Sequence, residues 1–297
     1  MRIEIVDVGP RDGLQNEDQT LSPEVRAALC ARLAAAGVPR VETASFVHTR
    51  LVPQMAGAEE VLATIKRCPG TSYSGLVLNE KGYERAIEAG VDEVRYALPV
   101  TETFAKENQN TTVEDGMALA ERLIERARLD GVRVSVTLSV AFGCPFEGWV
   151  EPETVLGVAR RVVNAGPDEV VLADTIGVGV PKGVKELVES VAELGVTAGC
   201  HFHDTRNTGI ANAVAALEAG ATVLDASVGG TGGCPFAPKA TGNIATEDLV
   251  YVLHGMGYDT GVDLATLIGC AEWLSERLGK ELPGQVHKAG NFAPVAG

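Results

Sequence analysis

Seven glycine-containing joints recur along this chain, each where a helix-like stretch gives way to an apolar strand. In order they are Ala36-Gly37-Val38, Pro69-Gly70, Ala89-Gly90-Val91, Asp130-Gly131-Val132, Ala165-Gly166, Leu194-Gly195-Val196 and Ala219-Gly220-Ala221. A glycine just past a helix end adopts the left-handed conformation that terminates the helix, and the chain then enters the next strand. Seven such joints separate eight predicted strands.

The predicted strands are short, apolar and rich in valine, as expected of parallel strands that are covered on both faces. They cover residues 3–8, 40–43, 73–78, 93–98, 133–139, 169–173, 197–202 and 222–227. Amphipathic stretches lie between them. The stretch 22–36, for example, begins with Ser22 as N-cap and Pro23 at the first helical position.

This strict alternation of strands and helices predicts an α/β fold, a (β/α)8 TIM barrel with an extra C-terminal helix. A doubly wound sheet is the alternative, but no G-x-G-x-x-G motif follows the first strand. No linker divides the chain, so we expect one domain over residues 1–297 with a core of about 3–258. The remainder, 259–297, contains a helix at about 264–278 that would cap the barrel or pack on a partner subunit.

Charge and composition narrow the possible partners. The net charge of −15 argues against nucleic acid, whose phosphates require a basic face. No apolar run approaches the roughly 20 residues that span a bilayer, and the first residues do not resemble a signal peptide. Six scattered cysteines without C-x-x-C spacing favour a reducing, cytoplasmic location.

Unusual polar residues fall at the carboxyl ends of the predicted strands, where barrel enzymes place their active sites. Any one of them could be a strand-end residue that bonds only to its loop. Six at the same rim predict a functional centre. They are Arg11 and Asp12 after strand one, Glu42 at strand two, Asp174 at strand six, and His201 and His203 at strand seven.

The two histidines at i and i+2 point to the same side of a strand. Such a pair is often only hydrogen-bonded, but with Asp12 it forms an oxygen and nitrogen set that suits Mg²⁺, Mn²⁺, Co²⁺ or Zn²⁺. Three protein ligands leave positions open for substrate oxygens, as in catalytic sites. Asn243 is placed to add a neutral oxygen.

Arg11 would lie beside this ion as a second positive charge, an arrangement that suits an enzyme stabilising an enolate. Glu42 and Asp174 are predicted to support the centre by fixing Arg11 and the histidines. A buried salt bridge between Glu42 and Arg11 is the simpler interpretation of Glu42, and the two roles are compatible.

A glycine-rich segment, 229–233, follows strand eight and leads to Cys234. We predict a mobile lid at the catalytic rim with Cys234 as a candidate acid or base, the alternative being a turn with an incidental thiol. Cys144 lies in a second Gly-Cys-Pro tripeptide, after strand five, and is predicted to be structural.

Several segments together resemble 3-hydroxy-3-methylglutaryl-CoA lyases, a branch of a metal-dependent barrel superfamily that includes isopropylmalate and homocitrate synthases. The resemblance covers about residues 5–278, and the glycine–cysteine loop is specific to the lyase branch. Its motifs are Val8-Gly9-Pro10-Arg11-Asp12-Gly13-Leu14-Gln15-Asn16, Ser45-Phe46-Val47, Val52-Pro53-Gln54-Met55, Asp174-Thr175-Ile176-Gly177-Val178-Gly179, His201-x-His203-Asp204-Thr205, Gly232-Gly233-Cys234-Pro235 and Gly242-Asn243-Ile244-Ala245-Thr246-Glu247-Asp248.

The resemblance implies a role for each matching position. Asp12, His201, His203 and Asn243 would bind a divalent cation, usually Mg²⁺ or Mn²⁺. Arg11 would stabilise the enolate, Cys234 would transfer a proton, and Glu42 and Asp174 would support the centre. The implied reaction cleaves an acyl-CoA, 3-hydroxy-3-methylglutaryl-CoA, to acetyl-CoA and acetoacetate.

Two departures from the family pattern concern the acyl group. The tyrosine usual in strand five is Thr137, and His-Asp-Thr is followed by Arg206-Asn207-Thr208-Gly209 instead of Tyr-Gly-Gln-Ala. We therefore expect Gln15, Thr137 and Arg206 to contact the substrate, although Arg206 could instead form a salt bridge on the following helix. Another 3-hydroxy-3-alkylglutaryl-CoA, or citramalyl-CoA, is the alternative substrate.

Two further classes of protein stay open. One is an acetyl-CoA-condensing synthase of the same superfamily, although such enzymes usually carry extra C-terminal segments. The other is a catalytically silent barrel, against which the intact set of candidate residues argues. We also expect a homodimer or higher homo-oligomer, with no nucleic-acid or membrane partner.

Overall fold

The computed structural model describes residues 1–233 and 242–292 and contains a closed barrel of eight parallel strands. The neighbours around the barrel run β1-β10-β9-β8-β5-β4-β3-β2, and β6 and β7 form a separate antiparallel hairpin. The strands are β1 (Glu4–Asp7), β2 (Arg40–Ser45), β3 (Ser72–Val77), β4 (Glu93–Pro99), β5 (Arg133–Ser139), β6 (Gly143–Cys144), β7 (Gly148–Trp149), β8 (Glu169–Asp174), β9 (Thr197–Phe202) and β10 (Val223–Ala226).

Helices surround the barrel in the part of the chain that is described: the first nine pack against its strands, and the last two pack on other helices. In chain order they are α1 (Pro23–Ala35), α2 (Ala58–Thr64), α3 (Glu80–Glu88), α4 (Glu102–Gln109), α5 (Val113–Asp130), α6 (Pro152–Ala165), α7 (Pro181–Ala192), α8 (Gly209–Glu218), α9 (Thr246–Gly255), α10 (Leu264–Leu278) and α11 (Val286–Ala289). Single turns of tighter or wider helix occur at Gly9–Gly13, Pro53–Met55 and Val228–Gly230.

The predicted (β/α)8 barrel is confirmed, and closure of the strands excludes the doubly wound sheet. The predicted helix caps are present as well: the Ser22 hydroxyl accepts a hydrogen bond from the backbone N–H of Val25 at 3.5 Å. The helix expected at 264–278 is α10, which packs on α1 and α9. One contiguous core of buried residues reaches from Ile3 to Leu282. The single domain over residues 1–297 stays a prediction.

Two features between the strands differ from the sequence-based expectation. The stretch between β4 and β5 holds two helices instead of one, and the β6–β7 hairpin follows β5. Strand β2 extends to Ser45, with an irregularity in its pairing with β3 between Glu42 and Ala44. Glu42 therefore lies within the strand, and not at its end as predicted.

A buried network of charges closes the amino-terminal end of the barrel. Arg40 donates to Glu93 (Nε to Oε2, 2.9 Å) and to Glu169 (Nη1 to Oε2, 2.7 Å), and all three side chains are at most 2% exposed. A groove of about 1070 Å³ lies at this end, but three arginines that line it are already paired with carboxylates. The network is therefore structural, and it is remote from the predicted catalytic rim.

The C-terminal segment holds the start of the glycine-rich loop. The N–H of Gly229 donates to Glu247 Oε2 at 3.0 Å, and its carbonyl accepts from the N–H of Gly284 at 2.9 Å. Gly229 has a φ of 71°, and a Cβ there would overlap the side chain of Leu282. Only glycine fits this position without strain.

We expect Gly229→Ala to lower the free energy of unfolding by about 2–4 kcal/mol, from the positive φ and the overlap with Leu282. Gly157→Ala is the matched control, because Gly157 lies inside α6 and nothing approaches its Cβ position within 4 Å. It should raise stability by about 0.5–1 kcal/mol. The midpoint of urea-induced unfolding measures both changes in stability, provided that the slope of the transition is the same as in the wild type. Equal midpoints would contradict the packing argument.

Among the residues described, no helix has the length and apolar character needed to cross a membrane. The five cysteines in that part of the chain are free, none of them in a disulfide.

Candidate active site

A cavity of about 250 Å³ opens at the carboxyl end of the barrel, where the predicted site residues meet. Its polar lining combines arginine, carboxylate and imidazole groups, and its apolar lining comes from several strands and the loop after β2. The arginine, carboxylate and imidazole side chains are Arg11, Asp12, Glu42, Arg95, His201, His203 and Asp225; the apolar ones include Val47, Leu51, Val52, Leu76, Leu78, Ala97, Phe104 and Ala173.

The wide helical turn Gly9–Gly13, which follows β1, places Arg11 and Asp12 at this cavity. Gly13 allows this turn to approach the segment after β10, because a Cβ on residue 13 would overlap the hydroxyls of Ser227 and Thr231. Arg11 Nε donates to Glu42 Oε2 at 2.7 Å, and its Nη1 lies 2.6 Å from Asp12 Oδ1. These partners raise the pKa of Arg11 despite its burial, so the guanidinium stays charged.

Strand β9 brings the two histidines to the same wall, with ring centroids 5.2 Å apart. One potential ligand atom each from Asp12, His201 and His203 lie within 4.8 Å of one another. Burial and the neighbouring His201 lower the pKa of His203 to about 4, so this imidazole is neutral near pH 7. A neutral imidazole offers the lone pair that a metal requires.

Asn243 joins this group through a backbone bridge with His203. Its Nδ2 donates to Asp12 Oδ2 at 2.9 Å and to the carbonyl of Thr231 at 3.0 Å. Within residues 1–233 and 242–292, its buried Oδ1 has no hydrogen-bond partner, and neither has Nδ1 of His203. Buried acceptors without donors are costly unless a ligand completes them.

These four residues, Asp12, His201, His203 and Asn243, therefore offer oxygen and nitrogen atoms that are chemically suited to bind a divalent cation. Asp12 supplies an anionic oxygen: burial would raise its pKa, but Arg11 and both histidines hold the pKa of this carboxyl well below its usual range. Nitrogen and oxygen donors of this kind accommodate Mg²⁺, Mn²⁺ or Zn²⁺.

Two residues of the site were not predicted from the sequence, Arg95 and Asp225. Arg95 lies on β4 and Asp225 on β10, and Arg95 Nη2 donates to both carboxylate oxygens, at 3.0 and 2.7 Å. Asp225 Oδ2 is also 3.2 Å from His201 Nδ1. The signal that could have revealed them is a charged residue inside an otherwise apolar strand.

The two predicted supporting carboxylates make different contacts. Glu42 is fully buried and bonds to Arg11, while its Oε1 has no hydrogen-bond partner among the residues described. Asp174 accepts from the backbone N–H groups of Val178 (2.9 Å) and Gly179 (2.8 Å), so it holds the loop after β8. Direct support of the histidines by Asp174 stays a prediction.

The three residues predicted to contact the substrate do not all lie at the cavity. Gln15 and Thr137 line the cavity. Arg206 is not among its lining residues, and its Nη1 donates to the carbonyls of Ile176 (3.1 Å) and Gly177 (2.8 Å). The salt bridge considered for Arg206 is not among its contacts within residues 1–233 and 242–292. A contact of Arg206 with the substrate stays a prediction.

Cys234 lies outside the described residues, so its predicted role rests on the sequence. Gly233, which precedes it in the chain, lines the cavity, and its carbonyl accepts from Asn16 Nδ2 at 2.9 Å. Cys144 is 3% exposed and accepts a hydrogen bond from the Thr101 hydroxyl at 3.2 Å. This packing agrees with the structural role that was expected for it.

Comparisons with known proteins extend these observations. The HMGL-like family model matches residues 2–273. An (R)-citramalyl-CoA lyase of Chloroflexus aurantiacus is 44% identical over 98% of this chain and 96% of its own length. A 3-hydroxy-3-isohexenylglutaryl-CoA/hydroxy-methylglutaryl-CoA lyase of Pseudomonas aeruginosa is 42% identical over 97% of both chains.

A solved structure shows the same architecture. An HMG-CoA lyase from Acinetobacter baumannii, in complex with coenzyme A and 3-methylmalate, superposes with a TM-score of 0.93 at 36% identity. The match covers 99% of this chain and 98% of the other.

Proposed function

Because the chain belongs to the HMGL-like family and is a carbon–carbon lyase of CoA esters, we propose that it cleaves 3-hydroxy-3-methylglutaryl-CoA to acetyl-CoA and acetoacetate. We propose further that the reaction requires a divalent cation, Mg²⁺ or Mn²⁺. The observation that carries the proposal is the group Asp12, His201 and His203, within 4.8 Å of one another beside a charged arginine. A condensing synthase and a silent barrel do not agree with relatives that are lyases.

Asp12, His201, His203 and Asn243 would hold the cation, since two of their buried acceptor atoms have no other partner in the part of the chain that the structure describes. When bound, the ion supplies Lewis-acid polarisation of substrate oxygens and eases loss of a hydroxyl proton. Co²⁺ and Zn²⁺ fit the same donor set. The surrounding protein keeps these ligands in place before substrate arrives.

Arg11 is the candidate for stabilising the charge that forms in the reaction. Its guanidinium is held by Glu42 and Asp12 at the cavity wall, and its side chain is 13% exposed. A cation that is fixed in advance needs little reorganisation when an enolate oxygen becomes negative beside it. Glu42 thus acts as a positioning residue for Arg11.

The proposed reaction balances as a retro-aldol-type cleavage. The hydroxyl at C3 gives its proton to water, the C2–C3 bond breaks, and its electron pair forms the enolate of acetyl-CoA. C3 becomes the ketone of acetoacetate. A proton then reaches C2 of the enolate, and we assign its delivery to the thiol of Cys234, since cysteine can act as a general acid.

A second substrate, citramalyl-CoA, is favoured by one of the relatives, which is named an (R)-citramalyl-CoA lyase. The same bond cleavage would then release pyruvate in place of acetoacetate. The test is an assay of acetyl-CoA release with each substrate, with the second product identified by mass spectrometry. Cleavage of neither substrate, with metal supplied, would refute the proposed function.

The acyl pocket leads to a prediction about substrate size. Thr137 pairs with Ala97 across β4 and β5, and Ala173 lies on the same lining, so this part of the wall is made of small side chains. We propose that it admits 3-alkyl groups bulkier than methyl, as in a relative named for isohexenylglutaryl-CoA. Thr137→Tyr should therefore lower kcat/KM about 10- to 200-fold for a longer 3-alkyl analogue and spare the methyl substrate.

Thr137→Val is the matched control, since valine has nearly the same volume as threonine and carries a methyl group in place of the hydroxyl. Its ranking of the two substrates should equal that of the wild type. A wild-type enzyme that cleaves only the methyl substrate, with the ranking unchanged in Thr137→Tyr, would show that the pocket volume does not set specificity.

Cytoplasmic location and a homo-oligomeric state are proposed from the sequence alone. Light scattering coupled to size-exclusion chromatography measures the oligomeric state directly.

A further inference from the structure

We propose that Asp225, fixed by Arg95, is a positioning residue that holds His201 in the one imidazole tautomer able to serve a cation. This inference rests on the proposed function, because it assumes that His201 is a ligand. Neither Arg95 nor Asp225 was predicted from the sequence, and neither matches a motif on which the family resemblance depends.

The contacts define which nitrogen of His201 is free. Asp225 Oδ2 lies 3.2 Å from Nδ1 of the ring, in the register that pairs His201 with Asp225 across β9 and β10. An ionised carboxylate can only accept hydrogen bonds, so Nδ1 must carry the proton. In the neutral imidazole, the form that a metal binds, Nε2 is then left with its lone pair.

Arg95 fixes the orientation of the Asp225 carboxylate. Its Nη2 binds both carboxylate oxygens, at 3.0 and 2.7 Å, and the two side chains are only 2% and 3% exposed. A carboxylate that is held at both oxygens cannot rotate away from the imidazole without breaking this ion pair. Arg95 therefore keeps Oδ2 aimed at Nδ1 of His201.

The fold explains why this arginine comes from β4. In the closed order of strands, β4 and β10 are opposite each other, so Arg95 crosses the barrel interior to reach Asp225. Arg95 Nη1 is buried and has no hydrogen-bond partner among the described residues, so the ion pair with Asp225 anchors the guanidinium. His203 differs, because its Nδ1 has no partner within the described ranges.

The test uses two readouts that do not depend on turnover. Titration with Mn²⁺, followed by electron paramagnetic resonance, measures cation affinity. Two-bond ¹H–¹⁵N NMR spectra report the tautomer of each imidazole ring. They would be recorded on metal-free protein with ¹⁵N-labelled histidine, at alkaline pH. In the wild type we expect His201 to carry its proton on Nδ1.

Asp225→Asn should weaken Mn²⁺ binding about 10- to 100-fold, the usual cost of removing a partner behind a metal ligand. Its amide can donate to Nδ1, so the proton of His201 should move to Nε2 in the NMR spectrum. Arg95→Met should weaken Mn²⁺ binding in the same direction. Arg95→Lys retains the cation and should recover most of the wild-type affinity and tautomer.

Glu93→Gln is the matched control, because Glu93 is an equally buried carboxylate paired with an arginine, Arg40, at the opposite end of the barrel. It should leave Mn²⁺ affinity and the His201 tautomer unchanged. Melting curves identify any variant that fails to fold, and Arg95→Lys then replaces Arg95→Met in the comparison with the wild type.

The inference would be overturned if the Asp225→Asn variant folds, binds Mn²⁺ as tightly as the wild type and shows the same His201 tautomer. It would also be overturned if His201 of the wild type carries its proton on Nε2. Failure of the proposed function looks different: the wild type would bind no Mn²⁺ or cleave no acyl-CoA. The tautomer of the metal-free protein still decides the positioning role in that case.

Discussion

Removal of the divalent cation is expected to abolish lyase activity, with a fall in kcat of at least about 10³-fold. The physical reason is that Arg11 is assigned to the enolate and Arg95 is held by Asp225, so the described cavity residues offer no further cation for the deprotonated substrate hydroxyl. A loss of several kcal/mol of charge stabilisation corresponds to this factor. Dialysis against a chelator, followed by addition of Mg²⁺ or Mn²⁺, is the measurement.

His203→Ala should produce a similar loss that excess metal repairs only in part, because Asp12, His201 and Asn243 stay in place. His254→Ala is the matched control, since His254 is an exposed residue near the end of α9 and contacts Thr260 away from the cavity. It should retain activity. Full turnover by the metal-free enzyme would end the proposed mechanism.

Replacement of Cys234 by alanine is expected to lower kcat by roughly 10²-fold or more while largely sparing cation affinity. A general acid contributes about this factor, and Cys234 is not part of the proposed metal set. Steady-state kinetics together with Mn²⁺ titration separate the two effects. A thiol reagent should inactivate the wild type, and bound substrate should protect it.

Cys144→Ala is the comparison that makes this prediction specific. Cys144 is buried and bonds to Thr101, so its loss should cost some stability and little activity. If the two variants lose activity equally, or if Cys144→Ala is the worse, the assignment of proton transfer to Cys234 is wrong.

Much of the architecture could be predicted because it depends on local physical chemistry. Glycines such as Gly131 and Gly166 end helices in the left-handed conformation, and Ser22 caps α1, as local rules require. The β6–β7 hairpin was missed because strands of two residues leave no periodic pattern to detect.

The candidate site, like the fold, could be predicted from the sequence only in part. The rim positions of Asp12, His201 and His203 follow from strand ends in a parallel barrel, which all meet at one face. Arg206 shows the limit of this reasoning, since nothing in its local sequence indicates that backbone carbonyls of the preceding βα loop accept its hydrogen bonds.

The sequence by itself therefore determined the order of strands and helices, the face on which the functional residues gather, and the donor set for a cation. Tertiary structure alone decided which side chains touch across the barrel: Arg11 with Glu42, and Arg95 with Asp225 behind His201. The reason is that periodicity and capping are properties of neighbouring residues. An ion pair between opposite strands depends on the barrel's closure and register, which no local segment encodes.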